Sequence, residues 1–120
     1  MTRALLIPAE GPLREIELDG SLEQLQELVG GRIQALPLPD FIDPNGRATA
    51  YVNEEGKYEQ ADRPNMRATD FLVPGVGLFF GDHVAGDMLL CGFDSATGDH
   101  ADLPDAVAAR ARLIEREASP

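Results

Sequence analysis

Histidine and aspartate are the side chains in this sequence that invite a metal-site interpretation. His83 and His100 have Asp82, Asp87, Asp99 and Asp102 nearby, and imidazole combined with carboxylate can bind a transition metal. Because their spacing matches no ligand motif, we expect both histidines to lie exposed on loops and the chain to hold no metal.

A calcium loop is excluded by the same kind of reasoning. The stretch Asp43-Pro44-Asn45-Gly46 has the glycine that such a loop needs. The first and twelfth ligand positions would be Phe41 and Val52, and neither side chain offers oxygen.

Nucleophilic catalysis lacks a complete set of residues. Ser21 and Ser95 are the serines that precede the C-terminal tail, and neither lies in a Gly-x-Ser-x-Gly elbow. Cys91 is the single cysteine, so no internal disulfide can form, and its apolar neighbours predict a buried, unreactive thiol. No glycine-rich stretch matches a phosphate-binding loop. The sequence thus names no catalytic residue and no cofactor, and a non-enzymatic role is favoured.

A polar group in the middle of the chain is the candidate binding surface. Its members are Tyr51, Asn53, Glu54, Glu55, Lys57, Asn65, Arg67, Thr69 and Asp70. They could form a recognition surface at the tip of a hairpin and the segment after it. In the purely structural alternative, Asn53 caps a turn, Asn65 and Thr69 cap a short helix, and Arg67 pairs with a carboxylate.

The elements that must position these residues begin with a β-hairpin. Ala4–Ile7 is a short apolar run, and Arg14–Leu18 alternates polar and apolar residues, as strands with one buried face do. Ser21 and Gln24 have the spacing of a capping box, which predicts a helix near 21–29 that ends at Gly30-Gly31.

Further strands follow that helix. Arg32–Leu38 predicts a strand, and Ala48–Asn53 predicts one arm of a second hairpin that reverses at Glu54–Lys57 into a weaker strand. The apolar run Asp87–Phe93 predicts a central strand.

The chain ends in a predicted amphipathic helix near 104–117. Its apolar stripe consists of Val107, Ala111, Ile114 and Ala118 and buries little area, so weak docking is expected. Such a helix would fray or would bury Val107 and Ile114 against a partner or a second copy, forming a homo-oligomer. We therefore expect one α+β domain over 1–103 and a separate C-terminal helix and tail over 104–120.

These elements predict an α+β fold with a small, mostly antiparallel sheet, arranged as hairpin, helix, strand, hairpin and strand. We expect helices to cover one face of the sheet. With 120 residues the chain has room for one modest core.

Charge is the most unusual property of the sequence. Twenty-one acidic residues against ten basic ones give a net charge of -11, and no Lys or Arg lies between Arg67 and Arg110. A basic partner protein fits this surface, whereas direct nucleic-acid binding is disfavoured. No apolar run approaches the about 20 residues of a membrane helix, so we expect a cytoplasmic protein without membrane contact.

Three segments resemble one family. They are Ala50–Lys57, Pro64–Thr69 and Asp82–Gly92, and the likeness extends from about Leu5 to Phe93. The chain resembles the family catalogued as domain of unknown function 3846, which groups small proteins of actinobacteria, their phages and their plasmids. The resemblance implies a mobile-element or actinobacterial setting and transfers no catalytic residue.

Three functions follow as hypotheses. The leading one is a non-enzymatic, acidic protein-interaction module, an accessory or regulatory protein of a mobile genetic element. The first alternative is a small-molecule binder or enzyme with a polar pocket formed by Glu54, Glu55, Arg67 and Asp70. The second is a DNA mimic that inhibits a DNA-processing enzyme.

Overall fold

An antiparallel sheet forms the centre of the structure. The structure is a computed structural model that describes residues 2–56, 62–72, 84–94 and 96–118, with side chains up to residue 115. The strands are β1 (Thr2–Ile7), β2 (Arg14–Leu18), β3 (Ile33–Pro37), β4 (Ala48–Asn53), β5 (Pro64–Asn65), β6 (Val84–Ala85), β7 (Met88–Phe93) and β8 (His100–Ala101). The helices are α1 (Leu22–Val29), α2 (Met66–Leu72) and α3 (Asp105–Ala118).

Among the described residues, the main sheet has six strands in the order β2-β1-β7-β4-β3, with β8 paired to the end of β7. All of its pairs are antiparallel, and β5 and β6 form a separate two-stranded sheet. The predicted α+β class with a mostly antiparallel sheet is therefore confirmed.

The opening hairpin and its helix follow from local sequence. β1 and β2 pair from Thr2↔Leu18 to Leu6↔Arg14. The backbone N–H of Gln24 donates to Ser21 Oγ at 3.2 Å, which confirms half of the capping box. Helix α1 ends at Gly30, whose φ of 81° is left-handed and so suits glycine.

The second hairpin differs from the prediction. β4 pairs with β3 on one side and with β7 on the other. Because both sides of β4 are occupied, the strand predicted after Glu54–Lys57 cannot be its hairpin partner. The pair consists of β3 and β4, and residues 57–61 lie outside the described part of the chain.

Helices cover the sheet on both faces, where one covered face was expected. Met88 and Leu90 of β7 face α2 and α3, whereas Leu89 and Cys91 face α1. All four side chains are fully buried. The apolar run around β7 therefore marks a central strand, as predicted, and both faces of this strand are buried because helices cover both faces of the sheet.

Helix α3 is part of the main core and does not stand apart from it. Val107 is 1% exposed and Ala111 2%, and Ile114 packs against the same cluster. Arg110 also donates from Nε and Nη2 to the carbonyl oxygen of Phe71 in α2. These small residues let the helix lie close against α2 and the sheet, whereas the strength of its docking stays a prediction. None of the described helices has both the length and the apolarity needed to cross a membrane.

Candidate functional site

Asn65 and Thr69, two members of the predicted surface, hold buried backbone together. Asn65 Nδ2 donates to the carbonyl oxygens of Ile7 at 2.8 Å and Gly86 at 2.9 Å, and Oδ1 accepts from the Ala68 N–H at 3.0 Å. Asn65 is thereby the N-cap of α2. Thr69 Oγ1 donates to the Asn65 carbonyl and accepts from the Val84 N–H. The cap predicted in the structural alternative is therefore confirmed for Asn65, whereas Thr69 lies inside α2 and does not cap it.

Arg67 and Asp70 lie on α2 but point to different surroundings. Arg67 Nη2 donates to the carbonyl oxygens of Pro8 and Gly11, and Nη1 lies 3.8 Å from Glu115 Oε1. Arg67 thus pairs with a carboxylate, as the structural alternative expected, and fixes the turn between β1 and β2. Asp70 is exposed to solvent.

The end of β4 is a tight turn. Asn53 is 4% exposed, and its Oδ1 accepts from the Glu55 N–H at 2.8 Å, which is the cap predicted for this turn. Its Nδ2 has no hydrogen-bond partner and lies against Gly31, where a Cβ would come within 2.9 Å of that nitrogen. Glu54 and Glu55 are exposed, and Lys57 lies outside the described residues.

Tyr51 turns away from the other members toward β8. Its hydroxyl lies 3.1 Å from His100 Nε2, and the two rings meet edge to face with centroids 5.8 Å apart. Burial raises the pKa of the Tyr51 phenol above its usual range. The eight candidate residues within the described part of the chain therefore do not converge on one surface.

His100 corrects a second expectation. It was expected on an exposed loop, but it lies in β8 and is half-buried against Tyr51. These two residues are 49 positions apart, so only the β4-β7-β8 pairing brings them together. No local sequence signal could have found this pair. His83 lies outside the described residues.

A cleft opens beside His100. It encloses about 370 Å³ and is lined by Thr2, Leu18, Asp19, Gly20, Gly98, Asp99 and His100. With two carboxylates and one imidazole in its wall, the cleft could accept a small cationic group. Within the described residues, no group of three or more His, Cys, Asp or Glu side chains is close enough to hold a metal ion.

Two further clefts lie near α3. One of about 240 Å³ contains the Arg112–Glu15 ion pair, together with Arg3 and Asp105. The other, of about 700 Å³, is lined by Asn45, Arg47, Phe93, Asp94, Ala101, Asp102 and Pro104. Glu54, Glu55, Arg67 and Asp70, the predicted polar pocket, line none of these three clefts.

Exposed aspartates gather where β2 and β7 end and β1 begins. We call this surface the acidic end, and its members are Asp19, Asp94, Asp99, Asp102 and Asp105. They line the three clefts, into which Arg3, Arg47 and Arg112 also project. The ion pairs of the described residues join Arg63 to Asp87, Arg67 to Glu115 and Arg112 to Glu15, so none of them involves the acidic end.

Cys91 is buried between α1 and the sheet, as predicted. Burial raises the pKa of its thiol to about 12, so the thiolate required of a nucleophile does not form near neutral pH.

A family described as Domain of unknown function (DUF3846) matches residues 1–116, nearly the whole chain. No curated protein and no solved structure matches it.

Proposed function

The chain belongs to the DUF3846 family, and from that premise and its surface we propose that it is a non-enzymatic, acidic protein-interaction module whose partner has a basic surface. The observation that carries the proposal is the acidic end, where five exposed carboxylates take part in no ion pair of the described residues. Unpaired like charges at one end of a molecule attract a partner of opposite sign.

The net charge of -11 strengthens this preference. A field of one sign accelerates the encounter with a basic surface and slows the encounter with an acidic one. Because these carboxylates are exposed, salt screens their field over a Debye length of about 8 Å at physiological ionic strength. Binding through the acidic end should therefore weaken as salt increases.

Two double variants with the same charge change separate the acidic end from the turn after β4. Asp99→Asn/Asp102→Asn removes two charges from the acidic end, and Glu54→Gln/Glu55→Gln removes two from the turn. Asparagine keeps the oxygen with which Asp102 accepts from the Arg3 N–H, so the fold is preserved. Each protein is used as bait in affinity capture at low and high salt.

The proposal expects the Asp99/Asp102 variant to lose salt-sensitive partners that the wild type and the Glu54/Glu55 variant both retain. Loss with the Glu54/Glu55 variant alone would instead assign docking to the turn predicted from the sequence. If both variants capture the same partners as the wild type, the acidic module is refuted.

A second candidate function rests on the cleft beside His100. Its carboxylates, imidazole and threonine hydroxyl could hold a small amine or guanidinium compound, which would make the protein a small-molecule binder. A ligand at about 100 times its Kd stabilises the native state by about 2.7 kcal/mol and raises the melting midpoint by several degrees. A screen of small cationic metabolites should find such a ligand, and the shift should vanish in His100→Ala.

The family resemblance supports a cellular setting for the proposal. Because it implies phages and plasmids of actinobacteria, we place the module in the cytoplasm as an accessory or regulatory protein of a mobile genetic element. Expression confined to cells that carry and replicate such an element would agree with this role.

A further inference from the structure

The two edges of the main sheet differ in whether their outward-facing backbone groups are hydrogen-bonded. At the β2 edge, Gln24 Nε2 donates to the Glu17 carbonyl and Gln24 Oε1 accepts from the Asp19 N–H, both at 2.9 Å. A peptide group of a neighbouring strand would make these same two bonds. The side-chain amide of Gln24 therefore occupies part of this edge, and the carboxylates of Glu15 and Glu17 flank it.

The β3 edge has no such cover within the described part of the chain. The Glu54 N–H donates to the Arg32 carbonyl, so in this antiparallel ladder Arg32, Gln34 and Leu36 bond to β4. The alternate residues, Ile33 and Ala35, direct their N–H and C=O groups away from the sheet. Their outward groups take part in none of the hydrogen bonds to loops or side chains found in the described residues.

Charge also distinguishes the β3 edge. Residues 33–39 carry no charged side chain, in a protein whose net charge is -11. Two copies of so acidic a chain repel each other over most of their surfaces, and the repulsion is smallest at a neutral segment. The charged residues that flank this segment, Arg32 before it and Asp40 after it, have opposite signs, so together they add no net charge to the edge.

We propose that the β3 edge binds a second copy of this chain, with the two β3 strands antiparallel about a two-fold axis beside Gln34. Ile33 of each copy then lies opposite Ala35 of the other. The N–H and C=O groups of these residues form four hydrogen bonds across the axis. The two six-stranded sheets become one continuous sheet.

Pro37 sets this register. Its nitrogen faces outward and carries no hydrogen, so the strand cannot donate beyond Ala35. A pairing centred at Gln34 uses every outward N–H of the edge and leaves Pro37 opposite Gly31, which has no side chain to meet the proline ring. The side chain of Gln34 is exposed and meets the Gln34 of the second copy directly.

Substitution of Gln34 tests the axis. Sedimentation equilibrium of the wild type from about 10 to about 500 μM should show the mass rising toward twice the monomer value, as expected for an interface smaller than the standard size. Gln34→Lys and Gln34→Glu each place like charges opposite each other and should remain monomeric. An equimolar mixture of the two variants should recover the wild-type association, because each Lys then faces a Glu.

Gln34→Lys also controls for overall charge. It reduces the size of the net negative charge, from -11 to -10, so general repulsion would predict stronger association, whereas the two-fold pairing predicts its loss. Circular dichroism confirms that each variant is folded. A wild type that stays monomeric throughout, a Gln34→Lys variant that associates like the wild type, or a mixture that stays monomeric would each overturn the proposal. None of these results depends on a basic partner at the acidic end.

Discussion

Asn65 offers the sharpest test of how this fold is held together. Its side chain is fully buried and makes three hydrogen bonds to backbone groups of β1, α2 and the turn before β7. Asn65→Ala removes all three bonds and leaves buried backbone groups without these partners. At about 1 kcal/mol for each bond, with a further penalty for groups left unsatisfied, we expect a loss of about 3–5 kcal/mol.

Urea unfolding monitored by circular dichroism measures this loss. Asn45→Ala is the matched control, because Asn45 is exposed on a loop and its replacement should change stability by less than about 0.5 kcal/mol. If Asn65→Ala lowers the free energy of unfolding by less than about 1 kcal/mol, the three hydrogen bonds do not stabilise the fold as proposed.

Asn65→Asp gives the same prediction a pH dependence. The substituted carboxylate would face the two carbonyl oxygens that Asn65 now donates to, so the folded state raises its pKa. Stability relative to the wild type should therefore be lowest at neutral pH and recover as the pH falls and the group is protonated. A deficit that does not change between pH 7 and about pH 4 would contradict the donor role of Nδ2.

Three more predictions concern Cys91, α3 and Gly92. Burial raises the pKa of Cys91 to about 12 from an ordinary value of 9.0. Between these two pH values the free energy of unfolding of the wild type should fall by about 1.4 kcal/mol per pH unit relative to Cys91→Ala, as measured by urea unfolding. Equal pH dependence of the two proteins would contradict this. A chain ending at Leu103 loses Val107 and Ala111 from the main core and should show no cooperative thermal transition. A sharp transition would instead show that the rest of the domain folds without α3, as the sequence predicted. Gly92→Ala would place a Cβ 2.2 Å from the Asp102 carbonyl oxygen, which would push the segment around β8 away from β7. Hydrogen exchange of the β8 amides should therefore become fast. Unchanged protection of these amides would contradict the close contact between Gly92 and Asp102.

Local sequence predicted the parts of the fold that local physics determines. The first hairpin, the start and end of α1 and the central position of β7 depend on alternation, capping and apolar runs. The partners of β4 do not depend on such local patterns, because a strand followed by a turn sequence does not determine which strands pair with its two edges. The packing of α3 was underestimated for a similar reason: the stripe shows what the helix can bury, and only the tertiary structure shows how closely it lies.

The candidate site divides in the same way. The caps formed by Asn53 and Asn65 follow from positions close in sequence. The contact between Tyr51 and His100 and the gathering of aspartates at the acidic end depend on strand order, which composition and spacing do not encode. The excess of acidic residues was evident in the sequence, but its location on the surface was not.

The strand order also determines when the main sheet can form while the chain is synthesised on the ribosome. Among the described strands, β7 is the last long one to be made, yet it lies between β1 and β4 and is the only one that pairs with both. Until residue 93 has emerged, the nascent chain holds two separate two-stranded pieces, each with an unpaired inner edge. Such edges can pair wrongly with one another or with neighbouring chains, and long-range pairing is slow to complete. Ribosomes that stall before β7 should therefore release aggregation-prone fragments, whereas those that stall after α3 should release a folded domain.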